Sequence, residues 1–288
     1  MYTVFRHEDS VRPTKFVSLN TPNDIVVFVM DLEALLHTRA YDLGQPYFPG
    51  MPHYPTHPPF LYSLTKKHGD ILYGAGSTSA ADAIALGTHV GTHIDALSHF
   101  SCNGVCFGGR QIEQTYEHGM TALGVDTIAP IVRRGVLLDI AAQQSVAALS
   151  ADFEITADHL NRTAANIEIA AGDIVLLRTG WAQYFSDAKK YINNVIAPGP
   201  TLEAARWLSA RKIFAAGSDT VAFEKVPDPA MPVHVHLLVE SGIHIIEVLN
   251  LEDLARDQVY EFFFVAAPMN IRGATGAPIR PLAFPRKP

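Results

Sequence analysis

The chain has 288 residues, 48% hydrophobic and 18% charged, a balance that fits a compact folded protein and excludes a disordered one. Its formal net charge is -7 at pH 7 and no Lys/Arg-rich run offsets it, so nucleic acid is not expected as a partner. Two cysteines, Cys102 and Cys106, are too few for a disulfide framework, and their spacing matches no common zinc or redox motif; a reducing, cytoplasmic setting is the expectation.

In chain order, the opening MYTVFRHEDSVRPTK is polar and charged, without the apolar core of a signal peptide. The run IVVFVM (Ile25 to Met30) falls far short of the about 20 residues that a membrane-spanning helix needs, so no membrane partner is expected. From Tyr41 to Leu61 the sequence YDLGQPYFPGMPHYPTHPPFL is rich in Pro, Gly and aromatics. Each proline restricts itself and its predecessor to extended or turn geometry, which predicts a long structured loop. Such a loop suits a pocket wall as well as a strap over the core.

Next comes HVGTHIDALSH, residues 89 to 99, taken up below. Short apolar runs follow at 135–140, 173–180, 212–219, 243–248 and 262–267, each bounded by turn residues and each predicting a buried strand. Between them, helices are predicted from Thr156 to Ala171 and from Thr201 to Arg211, with the two threonines as N-caps. A third runs from about Val233 to Glu240 and stops near Gly242. Strands separated by helices argue for an α/β domain with a mixed, largely buried sheet, and no linker or repeat divides residues 1–288.

The histidine segment is the strongest chemical signal, holding three of the chain's 13 histidines and an aspartate within eleven residues. In a straight strand His89 and His93 would stand about 13 Å apart, too far to share an ion held at about 2.0 to 2.2 Å. A shared ion demands that the backbone curl between them, and Gly91 is where it can. Imidazoles with a carboxylate suit zinc, manganese or iron and leave positions open for water, whose proton a metal loosens toward neutral pH. His99 lies too far along to be assumed a ligand but close enough to shuttle a proton. Any one histidine alone is as well explained by a hydrogen-bonded core position; a core has no use for this cluster.

A second cluster, MPVHVHLLVESGIHIIEVL, spans 231–249. Glu247 sits inside an apolar strand, which is costly unless a cation or metal meets it, although a solvated strand face also accounts for it. His234 or His236 would join it.

These residues carry a resemblance. His89-Val-Gly-Thr-His93-Ile-Asp95-Ala-Leu-Ser-His99 resembles the H-x-G-T-H-x-D-x-P-x-H signature of the cyclase family of metal-dependent hydrolases, which includes bacterial kynurenine formamidase, isatin hydrolase and a trans-dienelactone hydrolase. Leu97 stands where the signature has proline, a departure that touches loop rigidity and no ligand. Further landmarks are PGMPHYP, GDIVLLRTGW, GSDT, the H-x-x-L-L run at His234 and GATGAPIRPLA, so that the resemblance covers most of residues 40 to 284. The resemblance implies a compact swivelling domain of β/β/α type, with a mixed, barrel-like sheet flanked by helices. It implies that His89, His93 and Asp95 bind a primary metal, with Asp95 able to bridge to a second ion held by His234 and Glu247. His234 fits this better than His236 because Leu237-Leu238 follows at the family spacing, whereas the run from His234 to Glu247 is one residue longer than in the formamidases. That leaves one or two divalent ions per chain, Zn2+ or Mn2+. His99 becomes the catalytic acid/base and Tyr54 a substrate-pocket residue. Homodimers or homotetramers are implied, with residues 1–40 reaching a neighbouring subunit.

The implied activity is hydrolysis of a small, aromatic or cyclic substrate, in which metal-activated water opens an amide, lactam or lactone carbonyl. Serine hydrolysis lacks a G-x-S-x-G elbow, zincin chemistry lacks H-E-x-x-H, and no G-x-G-x-x-G fingerprint occurs. The alternative is a protein on the same fold that binds a metal or small molecule without turnover.

Overall fold

The computed structural model describes residues 37–285. The expectations for Ile25 to Met30 and for most of the N-terminal segment 1–40 lie outside them. Nine strands form one sheet: β1 (Tyr41–Asp42), β4 (His93–Asp95), β5 (Ile131–Asp139), β6 (Ile174–Arg178), β7 (Ala215–Ser218), β8 (His244–Glu247), β9 (Glu261–Ala266), β10 (Gly276–Pro278) and β11 (Leu282–Pro285). The ribbon β2 (Leu61–Lys66) and β3 (Ala81–Ala85) stands apart from it.

The order across the sheet is β1-β11-β9-β5-β6-β7-β8-β4-β10, with β5, β6, β7 and β8 parallel and all other pairs antiparallel. One connection fixes its shape. β10 and β11 lie seven strands apart in this order, about 34 Å in a flat sheet at about 4.8 Å per strand. Yet only Ile279 to Pro281 join them, and so short a link spans no more than about 14 Å. The sheet therefore curls into an open half-barrel, in keeping with the barrel-like expectation.

The five predicted strands are all present, and their alternation explains why they read as unbroken apolar runs. Val136, Leu138, Val175, Leu177 and Ile245 pack beneath the helices, while Leu137, Ile174, Leu176 and Ile246 face the inside of the curl with Ile94, Phe262 and Phe264. Both faces are buried.

Helix α1 (Ala157–Thr163) starts at Thr156, whose hydroxyl accepts the His159 N–H while His159 Nδ1 accepts the Thr156 N–H. It stops at Ala164, seven residues short of the expected end, because Asn166 to Ile169 peel away and the Glu168 carbonyl accepts from Arg134 instead. Helix α2 (Leu202–Ala210) is capped by Thr201 as expected. The third helix begins at Pro232, widens into a π-helical segment over Val235–Ser241, and ends on Gly242 at φ +67°. The loop expected over 41–61 is present apart from β1, which pairs with β11 through Tyr41 and Ala283. Its Met51 and Phe60 pack with Trp181, Phe185 and Tyr191, and Tyr47, Phe48 and Tyr54 lie against that cluster. Among the described residues no helix is long and apolar enough to cross a membrane.

Candidate metal centre

The carboxyl ends of the four parallel strands lie side by side, and Glu247 is the last residue of β8 there. The antiparallel neighbour β4 sets His93 opposite Glu247 and Asp95 opposite Ile245. Because side chains alternate along a strand, His93 and Asp95 share a face.

His89 joins them through the bend that the sequence required. Gly91 adopts φ +67°, and a Cβ there would meet the Tyr47 ring at 2.5 Å, so only glycine fits. The His89 and His93 rings end 5.2 Å apart. On the far side a Cβ at Gly276 of β10 would lie 2.5 Å from the His89 ring, so bare backbone forms that wall. After β4 the chain turns again and stacks His99 on His89, with ring centres 3.9 Å apart.

His93 Nε2 is 3.5 Å from Asp95 Oδ1 and 3.5 Å from Glu247 Oε2. His234 Nε2 lies 3.2 Å from Glu247 Oε1 and 4.0 Å from Asp95 Oδ2, while His89 Nδ1 is 2.7 Å from Asp95 Oδ1. All five side chains are buried.

Two of the imidazoles are aimed by hydrogen bonds on their other nitrogen. His93 Nδ1 donates to the Gly91 carbonyl at 2.8 Å, and His234 Nδ1 meets Glu224 Oε1 at 2.7 Å, leaving both Nε2 atoms facing the carboxylates. Glu224 also accepts the His234 backbone N–H, which fixes the start of the third helix. Glu247 is held in turn by the Phe223 N–H at 2.7 Å. Such outer partners are what orients a metal-binding histidine.

Charge is arranged to match. Burial opposes ionisation of Asp95, but the surrounding His99, His89 and His93 hold it well below the usual carboxylate range. Burial would also keep His234 neutral, yet its bonds to Glu224 and Glu247 overcome that and raise it to about 10. His93 moves up for the same reason, through Asp95 and Glu247 against burial. His99 moves the other way: burial outweighs the pull of Asp95 and lowers it to about 3.

A divalent cation fits this donor set. Ligand atoms on one tetrahedral ion at about 2.0 to 2.2 Å stand about 3.4 Å apart, close to the observed spacings. Asp95 Oδ2, fully buried, accepts no hydrogen bond among the described residues. Two groups satisfy the proximity a metal needs, His89-Asp95-His99 and His93-Asp95-Glu247, with Asp95 common to both. This grouping differs from the expected one, since it places His99 among the atoms able to reach an ion and pairs His93 with Glu247.

The structure thus brings together His89, His93, Asp95, His99, His234 and Glu247. His236 lies elsewhere, between Ser209 and Glu240 at 2.8 and 2.7 Å. The longer run between His234 and Glu247 does not separate them, since His234 Nε2 and Glu247 Oε1 stand 3.2 Å apart. Tyr54 approaches through His57, with ring centres 5.6 Å apart, and His57 lies 5.3 Å from His89. Sequence reading missed Glu224, His57 and Thr275, whose hydroxyl is 2.9 Å from His89 Nε2. A cavity of about 880 Å³ lined by Tyr41, Asn166 and Tyr260 contains none of the cluster.

The Cyclase family model matches residues 41–225, well over half of the chain and across the histidine segment. The chain belongs to the cyclase family. Isatin hydrolase of Roseibium aggregatum is 29% identical to this chain over 210 residues, covering 70% of the chain and 73% of that protein. Kynurenine formamidase of Bacillus cereus is 25% identical over 247 residues, covering 85% and 96%. Among solved structures, one described as a novel cyclase superposes with a TM-score of 0.78 at 26% identity, covering 89% of this chain and 92% of its own. Isatin hydrolase A from Ralstonia solanacearum gives a TM-score of 0.69 at 27% identity, covering 93% and 99%. The chain is therefore related to hydrolases of amide bonds and carries a candidate His/Asp/Glu metal site.

Proposed function

We propose that this protein is a metal-dependent hydrolase that opens an amide, lactam or lactone carbonyl of a small aromatic or cyclic substrate. The observation that carries the reading is the gathering of His89, His93, His234 and Glu247 around the buried Asp95, beside His99. A divalent cation there, Zn2+ or Mn2+, would supply acidified water and polarise the carbonyl oxygen. His99, stacked on His89 beside the cluster, takes a proton from the attacking water and returns it to the leaving nitrogen or oxygen. Glu224 and the Gly91 carbonyl keep the ring protons of His234 and His93 on Nδ1, so that Nε2 stays directed at the cation. Tyr54 and His57 border the approach and are assigned to substrate contact.

The test is metal analysis of the purified protein, then assays on isatin, N-formylkynurenine and a dienelactone with the measured metal restored. Turnover of at least one, lost on chelation and regained with metal, is expected. Failure on all three with a full metal complement would favour the binding protein without turnover.

A further inference from the structure

Two ligand-bearing segments meet at a single hydroxyl. Thr92 is wholly buried; its Oγ1 accepts the Gln45 N–H at 2.8 Å and donates to the Val248 carbonyl at 2.6 Å. Thr92 immediately precedes His93 and Val248 immediately follows Glu247, and those two ligand candidates face each other across the β4–β8 ladder. The hydroxyl closes the end of that ladder.

What it closes is strained. Val248 has φ +59°, a left-handed conformation that a β-branched side chain adopts at a cost. Its N–H is tied to the Thr220 carbonyl at 3.0 Å, so the peptides on either side of its Cα are both anchored. Without the hydroxyl, the Val248 carbonyl and the Gln45 N–H are left buried and unpaired, and Val248 is free to relax toward extended geometry. Relaxation there turns the residue that carries the Glu247 carboxylate. The Thr92 backbone is held separately, since its carbonyl accepts the Ile279 N–H at 3.0 Å and the Tyr47 hydroxyl at 3.1 Å. Only the side chain reaches β8.

We propose that Thr92 is a positioning residue whose hydroxyl clamps the left-handed turn at Val248 and so holds His93 and Glu247 as a preformed divalent-cation site. The inference rests on the metal reading above. It accounts for why the residue between Gly91 and His93 carries a hydroxyl although it touches neither water nor ligand atoms.

Cobalt(II) titration of the metal-free full chain, followed by visible absorption, tests it. Thr92→Val is expected to bind Co2+ about 10- to 100-fold more weakly than the parent with an altered d–d band, the range seen when an orienting partner of a metal ligand is lost. Thr92→Ser keeps the hydroxyl and should match the parent in affinity and spectrum. In a Val248→Gly background the strain is gone, because glycine accepts this φ freely, and Thr92→Val should cost distinctly less affinity than in the parent. Parent-like Co2+ affinity and spectrum in Thr92→Val, or a Thr92→Ser as weak as the valine variant, overturns the clamp. An equal loss in the Val248→Gly background does so too, and this pair remains available if Thr92→Val alone does not fold. A parent chain that binds no Co2+ removes the metal reading itself, a separate outcome.

Discussion

Asp95 is the residue on which the site turns. It is buried, lies within 4.0 Å of His89, His93 and His234, and keeps one oxygen without a hydrogen bond. A buried carboxylate in that condition is costly unless a cation completes it. His93 Nε2 stands 3.5 Å from an oxygen of each carboxylate, so His93→Ala is expected to abolish metal retention through dialysis while leaving the fold intact by circular dichroism. His99→Ala should keep its metal and lose about 10² to 10⁴-fold in kcat, the usual worth of an acid/base group, as steady-state assays would show. A parent-like rate removes His99 from the mechanism, and weakened metal binding in this variant assigns it to the His89-Asp95 group instead. These residues were legible because they crowd eleven positions and because Gly91 marked the bend. Glu224 was not: it lies in VAFEKVP, ten residues before His234, and only the fold brings it to the imidazole.

At the scale of elements, two of the parallel strands are joined at their carboxyl ends by one acid. Asp219, just beyond β7, accepts from Thr179 N and Oγ1 at 2.9 and 2.6 Å and from Gly180 N at 2.8 Å, tying β7 to the end of β6. Burial outweighs these bonds and raises its carboxyl to about 6. The folded state therefore holds a proton that the unfolded chain releases near pH 4. Its stabilising effect is complete below about pH 4 and is lost as pH rises through about 6, a change of about 3 kcal/mol. Urea unfolding across this range should show the parent gaining stability relative to Asp219→Asn as pH falls, and a gap independent of pH contradicts the assignment. Thr201→Ala should cost about 1 kcal/mol by removing the α2 cap. Strands and caps were readable from local pattern. The early end of α1 was not, since a tertiary bond from Arg134 to the Glu168 carbonyl follows it, and the π-helical segment left no mark in the local pattern.

Across the whole molecule, the curl of the sheet lets β10 close the wall beside His89, something no local pattern announces. The ribbon β2–β3 projects with Leu61, Tyr62, Leu64 and Ile84 exposed, and a lone two-stranded ribbon is marginal in water. That supports the homodimer or homotetramer reading, and light scattering at micromolar concentration is expected to give at least two chains; a monomer contradicts it. The central claim is that the buried cluster holds a divalent ion on which hydrolysis depends. Its most direct test is elemental metal content per chain after exhaustive dialysis, measured on the parent and on His93→Ala. At least one equivalent of zinc or manganese in the parent and essentially none in the variant is the predicted result. A metal-free parent that still hydrolyses its substrate, or a variant that keeps the full equivalent, would contradict the account.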